Sequence, residues 1–143
     1  MDQRVSMIMT GARDIAALRK FYEAGLGWQP WLPATPASAA YKVGHSVLMF
    51  LNGDYLARER GAPLSGDGKT SLAVFVGSKT EVDDMFAAAV GAGAQATSAV
   101  RERDGGLYSG YFADPEGNNW ELVWSPHMPL AADGALTLPG AQS

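Results

Sequence analysis

Cysteine is absent from the 143 residues, and histidine occurs only twice. Without a thiol there is no disulfide, no thiolate nucleophile and no cysteine-ligated zinc, which fits a reducing compartment. Runs of Lys and Arg are also missing, and the formal net charge is -4. The chain therefore has no electrostatic footprint for nucleic acid or for an anionic membrane. No uninterrupted apolar run approaches the length of a membrane span. The opening stretch, MDQRVSMIMTGARD, has acid and amide residues where a secretory signal would be basic. The expected location is the cytoplasm, with neither nucleic acid nor membrane as partner. No serine stands in a nucleophile-elbow context, so covalent catalysis has no candidate. What is present, 47% hydrophobic and 18% charged residues, suits one globular domain over residues 1–143 with a real core.

Residues 5–10 read as a strand. ARDIAALRKFYEAGLGW then places Ile15, Leu18, Phe21 and Tyr22 on one helical face, with Asp14 as N-cap and Gly25 as stop. Three prolines in WQPWLPATPAS indicate a short edge strand or a loop. Residues 40–43 and 45–51 follow as strands around Gly44. A polar, Gly-rich connector comes next, with a helical turn at residues 55–60. Residues 71–76 start again as a strand, and Val82, Met85, Phe86, Ala89 and Val90 then follow helical spacing. Ser78 with Glu81, or Thr80 with Asp83, can cap that helix. AQATSAV, LYSGYFA and NWELVW read as three more strands, and the tail with His127 reads as an extension rather than core.

The halves match each other. A shift of 66 aligns Gly11 with Gly77, and Gly25 and Gly27 with Gly91 and Gly93. Strand, helix and three strands thus occur twice. The expected division is module one at about 4–56, a connector at 57–70, module two at 71–126 and a C-terminal extension at 127–143.

YFADPEGNNWELVW joins two strands through a turn that Asp-Pro initiates and Gly117 reverses. Period-two alternation puts Trp120, Leu122 and Trp124 on one face of the last strand, and Asn119, Glu121 and Val123 on the other. The aromatic face should meet the helices, which turns Glu121 toward the opposite side.

These motifs resemble the vicinal oxygen chelate superfamily, the glyoxalase, bleomycin resistance protein and extradiol dioxygenase group. YFADPEGNNWEL is similar to its hairpin F-x-D-P-x-G-N-x-x-E, and FYEAGLGW to the end of its first helix. The resemblance implies an α+β fold: two βαβββ modules forming a curled mixed sheet around a cleft, helices on the outer face. It also implies a homodimer, as family members pair their modules within a chain or across a dimer. Members commonly hold a divalent metal in the cleft through four side chains, two per module, from the first and last strands.

Three of those four positions lack a donor here. They fall at Met7, at Ala73 or Val74, and near Met49, which leaves Glu121 alone. Thioether is a poor ligand for Mg, Mn, Fe(II) or Zn, so neither metal nor other cofactor is expected. By alternation Val5, Met7, Met9, Val47, Met49, Leu51, Ser71, Ala73, Phe75 and Tyr111 share the face of Glu121. That face is either plain core or an apolar cleft with one carboxylate.

The expected function is binding of a small organic molecule by Met7, Met9, Met49, Phe75, Tyr111 and Glu121, with Trp31 of WQPWLP as an aromatic lid. One alternative is a lyase, isomerase or dioxygenase using Glu121 as acid, base or metal ligand, with Tyr111 or His45. Another is a structural or partner-binding domain whose cleft is filled.

Overall fold

The computed structural model describes residues 1–25, 27–64, 70–113 and 119–138. The turn at residues 114–118, on which the hairpin motif rests, lies outside them. The elements in chain order begin with β1 (Met7–Ala12) and α1 (Ile15–Arg19), which continues as a π-helical turn (Lys20–Gly25). Next come β2 (Ser38–Val43), β3 (Ser46–Asn52) and α2 (Gly53–Arg60). The second half has β4 (Thr70–Phe75), α3 (Lys79–Gly91), β5 (Gln95–Glu102), β6 (Tyr108–Ala113) and β7 (Asn119–Trp124).

Local chemistry sets the helix starts. Asp14 caps α1 by accepting from the Ala17 amide at 2.9 Å, and Ser78 caps α3 by accepting from the Glu81 amide at 3.2 Å. The Glu81 carboxylate accepts from the Gly77 amide at 2.6 Å, one residue before the cap. Asn52 caps α2 through the Tyr55 amide at 3.0 Å. β1 ends at Ala12, two residues beyond the expected limit, and so includes Gly11. A Cβ at Gly11 would stand 2.4 Å from a Leu64 methyl, so glycine there serves close packing rather than chain reversal.

The strands form one seven-stranded mixed sheet in the order β2-β3-β1-β4-β7-β6-β5. β1 and β4 pair antiparallel at its centre, Met7 opposite Ala73. Each is flanked by the last strand of its own module in parallel, β1 by β3 and β4 by β7. The shift of 66 that aligns the two halves carries Met7 onto Ala73, so the repeat's local two-fold passes through that pair. The proline-rich stretch is no strand: the Trp31 amide donates to Ala40 O at 2.8 Å, and module one contributes three strands to module two's four.

The two faces separate as the alternation requires. On the outer face Ile15 of α1 is buried in one cluster with Ala39, Tyr41 and Phe50, where Tyr22 stacks on Phe50 and lies tilted against Trp28. α3 packs through Val82 against Val74, Phe112 and Leu122, flanked by Trp120 and Trp124. The inner face buries Met7, Met9, Ala40, Val47, Ala73, Phe75, Tyr111 and Val123. Two parts of the chain that the sequence reading left off the core cover this face. Leu56 of α2 is 1% exposed there, and Leu136 of the C-terminal tail is 3% exposed. The tail is therefore part of the core, because the concave side of the sheet is apolar and no outer helix can reach it. No helix among the described residues is long and apolar enough to cross a membrane.

Candidate functional site

Strand register assembles the site. Val47 lies beside Met7, Met7 beside Ala73, and Ala73 beside Glu121. These four residues form one row across β3, β1, β4 and β7, with about 4.8 Å between neighbouring strands. They are the first- and last-strand positions of both modules. Module one's last-strand position is thus Val47, whereas Met49 pairs with Met9 one step along the same face. All four side chains are buried. The row offers one carboxylate, one thioether and two hydrocarbon side chains, and among the described residues no three His, Cys, Asp or Glu come together. That donor set does not fit a hard or borderline dication.

Glu121 instead belongs to a polar network beneath α2. It pairs across β6–β7 with Tyr111, whose ring lies 5.0 Å from the Arg103 guanidinium. Arg103 is buried and donates from Nη1 to Glu59 Oε2 at 2.8 Å and to Glu59 O at 3.1 Å. It also donates to Ser109 O at 3.1 Å, Ser98 Oγ at 2.9 Å and Ala99 O at 3.2 Å. Glu59 accepts a second bond from Arg101 at 2.9 Å. Arg60, next along α2, donates to Ser71 Oγ at 3.3 Å, and Ser71 donates to Asn119 Oδ1 at 2.8 Å. The C-terminal end of α2 therefore docks on module two through Glu59, neutralised by Arg101 and Arg103 at the end of β5, and through Arg60, which Ser71 of β4 solvates.

Burial pushes the Glu121 carboxyl above the usual carboxylate range. Ser109, Arg103 and Tyr111 favour its charged form, with Ser109 Oγ buried and short of a well-formed hydrogen bond, while Glu59 opposes it. Desolvation outweighs the stabilising groups. The Tyr111 hydroxyl is pushed up as well, by burial first and by Glu121 second.

The direction of the Glu121 shift sets a sign. The folded state holds this proton more tightly than the unfolded chain, so its contribution to stability is complete below the unfolded value of about 4.3. It is lost as pH rises through the folded value. Glu121→Gln, which keeps the shape and stays neutral, should match the wild type in urea unfolding at pH 4 and exceed it at pH 8. A variant less stable than wild type at pH 8 would show that the carboxylate is well solvated.

Of the residues expected at the site, Met7, Met9, Phe75, Tyr111 and Glu121 are buried together on the inner face, and Met49 and Trp31 pack against them half-buried. His45 is exposed in the β2–β3 turn and does not join them, and His127 is exposed beyond β7. Glu59, Arg60 and Arg103 were not legible in the sequence. In LARER and VRERD they look like solvated charge, and the Glu59–Arg103 contact spans 44 residues.

Paired modules around a four-position row define the class of glyoxalase, bleomycin resistance and dioxygenase folds. The chain belongs to the glyoxalase-like domain family, whose family model matches residues 7–123. A glyoxalase-related enzyme from Fulvimarina pelagi is 31% identical, covering 97% of this chain and 100% of its own, with a TM-score of 0.49. A methylmalonyl-CoA epimerase from Streptomyces coelicolor is 20% identical with a TM-score of 0.60, covering 86% of this chain and 97% of its own. The Mn(II)-bound glyoxalase from Novosphingobium aromaticivorans is 20% identical with a TM-score of 0.54, covering 98% of this chain and 41% of its own. The last two share the fold. No curated protein matches the chain.

Proposed function

We propose that this chain binds a small organic molecule on its inner sheet face, without metal, using Glu121 and Tyr111 as the polar contacts. The observation that carries this reading is the row Met7, Val47, Ala73 and Glu121, in which three of four metal-ligand positions hold apolar side chains. Met7, Met9, Met49 and Phe75 supply a surface that adapts its shape, and Trp31 flanks it. His45 has no part in this site. The chain is a homodimer in this reading, because the sheet ends in the edge strands β2 and β5, which a second copy can cover, and its location is the cytoplasm, as the lack of cysteine suggests. Light scattering during gel filtration should give twice the chain mass, and a monomer mass at micromolar protein would count against pairing.

The cross-strand pair Tyr111–Glu121 favours a second reading, a lyase or isomerase. A carboxylate whose proton affinity is raised by burial is a better base near neutral pH, and Glu121 could take a proton from a bound ligand while Tyr111 steadies the developing charge. Leu56 and Leu136 on the inner face favour a third, a domain whose cleft is filled.

A thermal-shift screen of small organic molecules separates the three, because a ligand raises the melting temperature by mass action. The first reading expects a hit whose affinity falls at least ~10-fold in Glu121→Ala, the size of a lost hydrogen bond to a buried charged group. Equal affinity in both proteins would remove Glu121 from the site. Turnover lost in Glu121→Gln while binding persists would establish the second reading.

A further inference from the structure

The C-terminal tail forms a small hairpin that is self-contained in its backbone. Leu130 and Leu136 face each other in an antiparallel bridge. The Ala131 amide donates to Ala135 O at 2.8 Å, the Gly134 amide to Ala131 O at 2.9 Å and the Thr137 amide to Pro129 O at 3.0 Å. Among the described residues, none of its backbone–backbone hydrogen bonds goes to the sheet. What holds it on the inner face is side-chain contact. Leu136 is buried in the same apolar cluster as Met7, Met9, Val47 and Phe75, and Met128 and Leu130 pack against that cluster. Two cations reach across to it: Lys42 Nζ donates to Leu136 O at 3.1 Å, and Arg4 Nη1 to Gly134 O at 3.4 Å. Lys42 also stands 5.9 Å from the centre of the Trp31 ring.

An element docked by a few side chains and no ladder opens at lower free energy than the sheet beneath it. Its removal would uncover an apolar chamber with a lysine at its rim. We infer that the hairpin is a displaceable occupant of the cleft and that Leu136 stands where a ligand binds. The module-one end of the ligand is then a short branched hydrocarbon chain ending in a carboxylate, with the hydrocarbon in the place of the Leu136 side chain and the carboxylate on Lys42, while Glu121 and Tyr111 meet its other end across the sheet. This rests on the inner face being the ligand site, and it adds the chemical class of the ligand and the residue that recognises its charge. The net charge of the protein does not oppose the anion locally, because Glu121 lies on β7, four strands away from Lys42 on the edge strand β2.

The probe is 4-methylpentanoate, which is leucine's side chain and Cα with the carbonyl carbon as a carboxylate. Hydrogen exchange on the wild-type chain is the first arm. The amides of Ala131, Gly134 and Thr137 should exchange at least ~100-fold faster than that of Val76, which bonds Val123 O at 2.9 Å between the central strands. Adding 4-methylpentanoate should speed the three hairpin amides further. Calorimetric titration is the second arm. Leu136→Ser should bind the probe at least ~10-fold tighter than wild type because its competitor is weakened. Lys42→Met in that background should lose the gain.

Hairpin amides that exchange together with Val76 would make the tail permanent core and overturn the inference, with no variant needed. So would probe binding that leaves the hairpin amides unchanged. If Leu136→Ser binds no 4-methylpentanoate while other compounds raise the melting temperature of the wild type, the ligand class is wrong and the proposed function stands. If nothing binds either protein, both fail.

Discussion

Arg103→Met is expected to lower the stability of the folded protein by about 3–5 kcal/mol, the cost of removing one partner from a buried ion pair. For a domain of this length that is a fall of about 10 °C or more in Tm. The size follows from what the guanidinium serves at once. It neutralises Glu59, satisfies the carbonyls of Glu59, Ala99 and Ser109, and stacks on Tyr111. Arg101 also touches Glu59 but is half-exposed and reaches none of those carbonyls. It can blunt the loss without replacing it. Arg103→Lys should recover only a minority of the deficit, since an ammonium cannot spread donors over the same directions. Chemical denaturation of the two variants checks this, and an Arg103→Met protein within 1 kcal/mol (roughly the value of one exposed pair) of wild type would remove the network from the account of what docks α2.

Gly61→Ala should produce the other large loss. Gly61 ends α2 in the left-handed conformation, at φ 68°. A Cβ there would lie 2.0 Å from Thr97 O and 2.9 Å from Thr97 C, both backbone atoms of β5 that cannot rotate away. Left-handed geometry alone costs a side chain about 1–2 kcal/mol. Gly105→Ala isolates that part, because Gly105 has φ 75° and nothing within 4 Å of the added methyl. Gly61→Ala should therefore destabilise clearly more than Gly105→Ala, and the difference measures how tightly the end of α2 is pressed onto β5. Equal losses in the two variants would mean that α2 moves off the strand without cost.

Both expectations concern contacts that no local pattern announces. What was legible is what periodicity and capping encode. The faces of β7 were assigned correctly because Trp120, Leu122 and Trp124 alternate with Asn119, Glu121 and Val123, and the sheet buries both sides. Asp14 is legible as a cap because a short acceptor just before an apolar helical pattern has few other uses, whereas Ser78 and Thr80 both satisfy that pattern and the structure selects Ser78. The repeat sets Met7 against Ala73 or Val74, and strand pairing selects Ala73. Its weaker point was the last strand of module one, where a two-residue step separates Met49 from Val47 on the same face. Alternation cannot resolve such a step, since both residues point inward. The division at residue 56 also falls inside α2, whose eight residues run from module one's last strand to the docking site on module two. The tail was the largest omission. Its leucines are separated by Ala-Ala-Asp-Gly-Ala, which reads as a loop, and only the apolar concave face explains why Leu136 is buried. Glu59 and Arg103 could not be told from surface charge because their ion pair joins residues 44 apart, and Arg60 because its partners at Ala62, Thr70 and Ser71 are backbone carbonyls and a hydroxyl that no charge pattern marks.

The most direct test of the central claim, that this member of the family has an inner face built for an organic ligand rather than a metal, is metal analysis. Protein purified without tags or chelators would be measured by mass spectrometry and then titrated calorimetrically with Zn, Mn, Ni and Fe(II). Substoichiometric metal and no saturable heat that depends on Glu121 are the predicted results. Near-stoichiometric metal that disappears in Glu121→Gln would contradict the account.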